Sequence, residues 1–124
     1  MKQAVLDTNF IMSCAKQKID FFDEIKFLGM KILIPEEVIE ELKKIKETGK
    51  KLHSRKTAEL SLKILEKNEF KKIKLNEKNV DKGLVKISRK KKEIFVATLD
   101  KELKRKIKNQ KIVIKGRKKL ELSN

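Results

Sequence analysis

Short apolar runs alternate along this chain with segments whose apolar residues recur at helical spacing. The runs over residues 4–6, 30–34, 94–98 and 111–114 are too short for helices and rich in aliphatic side chains, so each reads as a buried strand. Helical spacing links Phe21, Phe22, Ile25 and Leu28, in a helical stretch that follows residues 10–15. It recurs in Val38, Leu42 and Ile45, in Ala58, Leu62 and Leu65, in Val80, Leu84 and Ile87, and in Leu103 with Ile107. Residues 70–75 alternate imperfectly and carry lysines, which suits an edge strand blunted against further pairing. Gly29 is placed to close the first helical stretch, and Pro35, the only proline, to open the next. Residues 48–51 read as a polar turn, residues 88–92 as a basic loop and residues 120–122 as a short tail.

The resulting order is strand, helix, strand, helix, helix, edge strand, helix, strand, helix, strand. Alternation of this kind predicts an α/β fold, a three-layer α/β/α sandwich with a mostly parallel central sheet. At 124 residues the chain is one domain, 1–124. It has no run of eighteen apolar residues and no secretory leader, so the expectation is a cytoplasmic protein with no membrane partner.

Charge adds a partner class. Charged residues make up 42% of the chain and the formal net charge is +16, which favours a polyanion such as nucleic acid. Lysine and glutamate enrichment is also what proteins from hot environments show, so charge supports this partner without establishing it. Candidate phosphate contacts are Lys50, Lys51, Arg55, Lys56, Arg89, Lys90, Lys91 and Arg117. With six Phe and no Tyr or Trp, stacking platforms are scarce and phosphates carry most of any binding. The lone Cys14 sits in an apolar stretch and reads as a small core residue, and the lone His53 as a surface or phosphate-contacting residue, not a metal ligand.

Acids supply the candidate chemistry. Asp7 and Asp100 each follow an apolar strand, and parallel strands present their carboxyl ends on one edge of the sheet. Thr8 and Asn9 read as caps for a helix beginning near Phe10, and Asp7 as either a cap or a site residue. Placing residues every 100° around the helix after Pro35 sets Glu41 about 60° from Val38, beside the apolar stripe; Glu37 follows at about 100° and Glu40 faces water. Asp81 opens the helix that precedes the Asp100 strand. Carboxylates gathered this way repel, and a hard divalent cation, Mg²⁺ or Mn²⁺, resolves the conflict. An acid cluster with such a metal in a basic protein points to phosphodiester hydrolysis.

These residues carry a resemblance. The segment Leu6-Asp7-Thr8-Asn9, Ile34-Pro35 followed by Val38 through Leu42, Val80-Asp81 and the segment from Ile94 through Asp100 to Lys104 together resemble the PIN domain family of nucleases. The nearest branch is archaeal and related to the small-subunit ribosomal RNA processing nucleases, a likeness that the ending Arg117-Lys118-Lys119-Leu120 shares. The resemblance implies an Mg²⁺- or Mn²⁺-dependent endoribonuclease with Asp7, Glu41 and Asp100 as metal-binding acids. Thr8, Asn9 and Thr98 are implied as hydrogen-bonding support, RNA as substrate, and a homodimer, an antitoxin or a ribosome-assembly partner as possible company. Two positions depart from the family pattern: Lys82 stands where a second acid is usual after Asp81, with Asp81 as the stand-in ligand, and Leu99 stands where an Asn is usual. A catalytically degenerate RNA-binding module and a VapC-type toxin ribonuclease are the alternatives.

Overall fold

The computed structural model describes residues 1–116 and 119–124. The elements are β1 (Gln3–Leu6), α1 (Thr8–Gln17), α2 (Phe21–Phe27), β2 (Lys31–Pro35), α3 (Glu36–Thr48), α4 (Leu52–Glu66), β3 (Lys71–Ile73), α5 (Val80–Lys90), β4 (Ile94–Ala97), α6 (Lys101–Lys106), β5 (Lys111–Lys115) and β6 (Lys119–Ser123). The six strands form one sheet in the order β3-β2-β1-β4-β5-β6, parallel except for the last pair.

Period-two alternation divides the strand side chains between two cores. Ala4, Leu6, Ile32, Ile34, Phe95 and Ala97 face α1 to α4, where they meet Phe10, Phe22, Val38 and Ala58. Val5, Leu33, Ile94 and Val96 face the other way, against Leu84, Leu103 and Ile107 of α5 and α6. Burial on both faces explains why these strands read as continuous apolar runs. The expected three layers are therefore present, with four helices on one side and two on the other.

Several boundaries differ from the sequence reading, each for a physical reason. Asp7 itself is the N-cap of α1, its Oδ1 accepting from the Thr8 amide at 2.8 Å, so the helix starts two residues earlier than Phe10. α1 and α2 are separate because Lys18 adopts a left-handed conformation (φ 59°) that ends the first. The basic stretch from Ser88 to Lys90 is not a loop: the buried Ser88 hydroxyl bonds the Val85 carbonyl and α5 continues to Lys90. The tail at 120–122 is the edge strand β6, antiparallel to β5, with Leu120 and Leu122 packed against the larger core. The lysine-rich β3 pairs only with β2, at the opposite edge. Cys14 is buried, and desolvation pushes its thiol up to about 12, so it is an inert core residue.

Gly83 fixes how closely α5 approaches the loop after β3. A Cβ there would lie 2.7 Å from the Leu75 Cβ and 2.8 Å from its Cδ1, distances that require something to move. Gly83→Ala gains up to about 1 kcal/mol of helix preference but incurs about 1–3 kcal/mol of overpacking. A net loss of about 1 kcal/mol is expected in the denaturant midpoint; a variant more stable than wild type would show that this contact yields easily.

Candidate active site

Parallel pairing builds the site. Leu6 is in register with Ala97, so the residues that follow, Asp7 and Thr98, emerge side by side at the carboxyl edge of the two central strands. The Asp7 amide donates to the Ala97 carbonyl at 3.0 Å. The Thr98 hydroxyl donates to Asp7 Oδ2 at 2.9 Å and accepts from the Asp100 amide at 3.1 Å. One hydroxyl thus ties two acids on neighbouring strands. Asp100 Oδ1 in turn caps α6, accepting from the Glu102 and Leu103 amides at 2.9 and 3.2 Å, which fixes the orientation of its carboxylate.

Glu41 arrives from α3 and Asp81 from α5. Together with Asp7, Asn9, Asp100 and Asn79 they line a single cleft of about 330 Å³. Four acids separated by up to 93 positions in the chain (7 to 100) therefore meet around one opening. The helical-wheel ranking of the α3 acids is resolved as well. Glu41 lines the cleft, whereas Glu37 points to the loop after β3, accepting from the Leu75 and Asn76 amides at 3.0–3.1 Å. Glu40 faces solvent within 3.7 Å of Lys43.

The electrostatics reflect crowding. Asp7 is 5% exposed, and burial raises its carboxyl from 3.8 to about 6, with Asp81 and Glu41 adding repulsion and the Thr98 and Thr8 hydrogen bonds opposing it. Asp81 is also raised, by partial burial and then by Asp100 and Glu41, while Lys106 pulls it back. The Thr8 hydroxyl is buried beside Asp7 without a hydrogen-bond partner. Oxygen donors of this kind suit a hard cation that retains some of its water. Among the described residues, no three acids converge tightly enough to form a ready-made coordination group. The donor chemistry fits a divalent ion, then, but the carboxylates ring the cleft and do not close on one point.

The departures from the family pattern have distinct consequences. Lys82 turns away from the cleft and lines the neighbouring depression between α5 and α6, leaving Asp81 as the α5 acid at the opening. Leu99 is half-buried and packs on the larger core. The sequence reading missed Lys78, the one cation lining the cleft among the described residues. Asn79, at the end of a stretch that reads as a turn or cap, does cap α5, its side chain accepting from the Lys82 amide at 3.0 Å, and it also lines the cleft. Lys78 is one lysine among many and had no distinguishing signal.

Among the described residues, none of the basic residues singled out from sequence lines the acid cleft. Lys50 and Lys51 are exposed in the α3–α4 turn, and Arg55 and Lys56 lie in the first turns of α4. Arg89 and Lys90 end α5 and Lys91 caps it, near the start of β4 and so at the opposite edge of the sheet. Arg117 lies outside the described residues.

The profile of the PIN-like domain family matches residues 4–119. The chain belongs to this family. Among solved structures, this PIN-like domain superposes with a TM-score of 0.77 on the PIN domain endonuclease Utp24, at 26% identity over 97% of this chain and 90% of that one. No curated protein matches the sequence significantly. The fold is thus shared with a PIN domain endonuclease, a likeness that supports nuclease function in general. No described helix of this PIN-like domain is long and apolar enough to cross a membrane.

The raised Asp7 carboxyl gives a signed expectation for the metal-free protein. Unfolded, the group ionises near 3.8; folded, it holds its proton to about 6. Stability therefore falls as pH rises through about 4 to 6, and above that window the folded state carries a penalty of about 3 kcal/mol. Asp7→Asn should raise stability by up to this amount at pH 8 and by little at pH 4, measured by chemical denaturation in a chelating buffer. Equal effects at both pH values would show that the buried charge is not the cause.

Proposed function

We propose that the chain is a Mg²⁺- or Mn²⁺-dependent endoribonuclease and that Asp7, Glu41, Asp81 and Asp100 form its catalytic set. The observation that carries this reading is the single cleft onto which these four acids open, in a protein of net charge +16. Asp7, Glu41 and Asp100, with Asp81 in place of the missing neighbouring acid, would hold the cation. When bound, such an ion supplies positive charge at the phosphodiester and makes water a stronger nucleophile. Thr98 keeps Asp7 and Asp100 in register, and Thr8 and Asn9 offer polar groups beside them. Lys78 faces the same space and would neutralise phosphate charge as the bond to the leaving oxygen breaks.

The likeness to Utp24 and to the ribosomal RNA processing branch favours a processing substrate over a toxin's target. A ribosome-assembly partner and a cytoplasmic location belong to the same reading. Lys82 and the open spacing of the acids favour a second reading, an RNA-binding module with little or no activity.

Cleavage of a labelled RNA in Mn²⁺ separates the two. Asp7→Asn should reduce cleavage by at least about 100-fold while RNA affinity stays the same or rises slightly. Equal cleavage by both proteins would trace the activity to a contaminant. Independently of turnover, Mn²⁺ at pH 7.5 should raise the melting temperature of the wild type and leave that of Asp7→Asn nearly unchanged; no shift in the wild type would count against a metal at these acids.

A further inference from the structure

The acid cleft does not end at Asp81. Asn79 and Asp81 are shared with a second cavity of about 400 Å³ that runs between α5 and α6. Arg89, two turns along α5 from Asp81, and Lys106, which lies near enough to Asp81 to act on its charge, are shared with a third of about 350 Å³, which Lys92 and Lys108 complete. The three cavities are thus neighbours that share walls, arrayed from the carboxyl edge of the sheet toward its amino edge along α5. Charge changes sign along this path. The first cavity is acidic; the second carries both signs, with Lys86 engaged by Glu77 at 2.6 Å; the third is lined by Arg89, Lys92, Lys106 and Lys108 and by no acid. Val85 and the buried Leu103 give the middle cavity an apolar floor between polar walls.

We infer that this groove is the track of a single-stranded RNA segment flanking the bond at the acid cleft, with its phosphates on Arg89 and Lys106 and a base over Val85 and Leu103. The inference rests on the ribonuclease reading for the position of the bond. The eight residues from Asp81 to Arg89 span about 12 Å of helix, which at the per-strand spacing of stacked nucleic acid accommodates about three phosphates. A duplex presents its phosphates outward and keeps its bases stacked inside, so it cannot set a base on the Val85–Leu103 floor; a single strand can. The arrangement also gives the basic residues at the end of α5 a role that their distance from the acids would otherwise deny them. Arg89 was legible in the sequence as a phosphate contact, but Lys106 and Lys108 were not, because the groove that gathers them requires α6 to pack beside α5.

The test measures binding, not cleavage. A fluorescent single-stranded RNA is titrated against the full chain carrying Asp7→Asn, in chelating buffer, by anisotropy across a salt series. Each lost single-strand contact reduces the salt slope by about 0.7 and, at 0.1 M salt, affinity by about fivefold. Adding Arg89→Ala with Lys106→Ala should therefore weaken binding by about 25-fold and flatten the slope by about 1.4. Removing equal charge from the opposite layer, with Lys16→Ala and Lys63→Ala, should weaken binding by less than about threefold, and Arg89→Lys with Lys106 intact should keep most of the wild-type affinity. A duplex of the same sequence should compete poorly. Equal losses from the two double variants, or equal binding of duplex and single strand, would overturn the inference. If the wild type cleaves no RNA yet the groove variants alone lose affinity, the hydrolase reading fails and the track stands.

Discussion

The cleft is organised around one carboxylate buried at the end of the central strand pair. Asp7 follows β1 into a position almost closed to solvent, where its charge is opposed by burial and by other acids. Two hydrogen bonds, from the Thr8 amide and the Thr98 hydroxyl, hold it there. Neither suffices to bring its ionisation back to the ordinary range. A fold that only required a helix cap at this point would be served by an uncharged Asn or Ser without the penalty. The persistence of an acid where it destabilises the metal-free protein is the kind of local conflict that marks a functional site. The same carboxylate both starts α1 and lines the cleft, so its role as a cap does not exclude a role in the site.

Much of this was visible in the chain before its coordinates. The four parallel-strand cores were legible because burial on both faces leaves no polar alternation to confuse them. Asp7 and Asp100 were legible because each directly follows such a strand, and Glu41 because its angle on α3 sets it beside the apolar stripe. β6 was not legible: Leu120 and Leu122 flank a single exposed Glu121, too short a pattern to tell an edge strand from a tail. The continuation of α5 through Ser88 to Lys90 was hidden by its lysines, which resemble a solvated loop until the buried Ser88 is seen bonding back to Val85. Lys78 and Lys106 were invisible for a different reason. In a chain with 34 basic residues, composition offers no way to choose among them, and only packing does.

The distribution of charge is as informative as its total. The acids gather at the carboxyl edge, while the four cations of the third cavity gather toward the other end of the α5–α6 layer. Such separation costs little in water between distant exposed groups, because salt screens them beyond about 10 Å. Within the cleft, by contrast, carboxylates lie close enough for Asp81 and Asp7 each to feel their neighbours. The surface thus carries a strong field for a polyanion and a locally repulsive spot at the point where chemistry would occur. A phosphate group would approach that spot readily only in company with a cation.

The Glu37 latch has a mechanical consequence. Glu37 and Glu41 stand one turn apart on α3, the first gripping the backbone at Leu75 and Asn76 and the second facing the cleft. The stretch from Leu75 to Asp81 carries Lys78, Asn79 and Asp81, all of which line the cleft. Glu37 thus ties that stretch to α3, the helix that also carries Glu41, so two sides of the opening share one rigid element, like the jaws of a pair of callipers joined at the hinge.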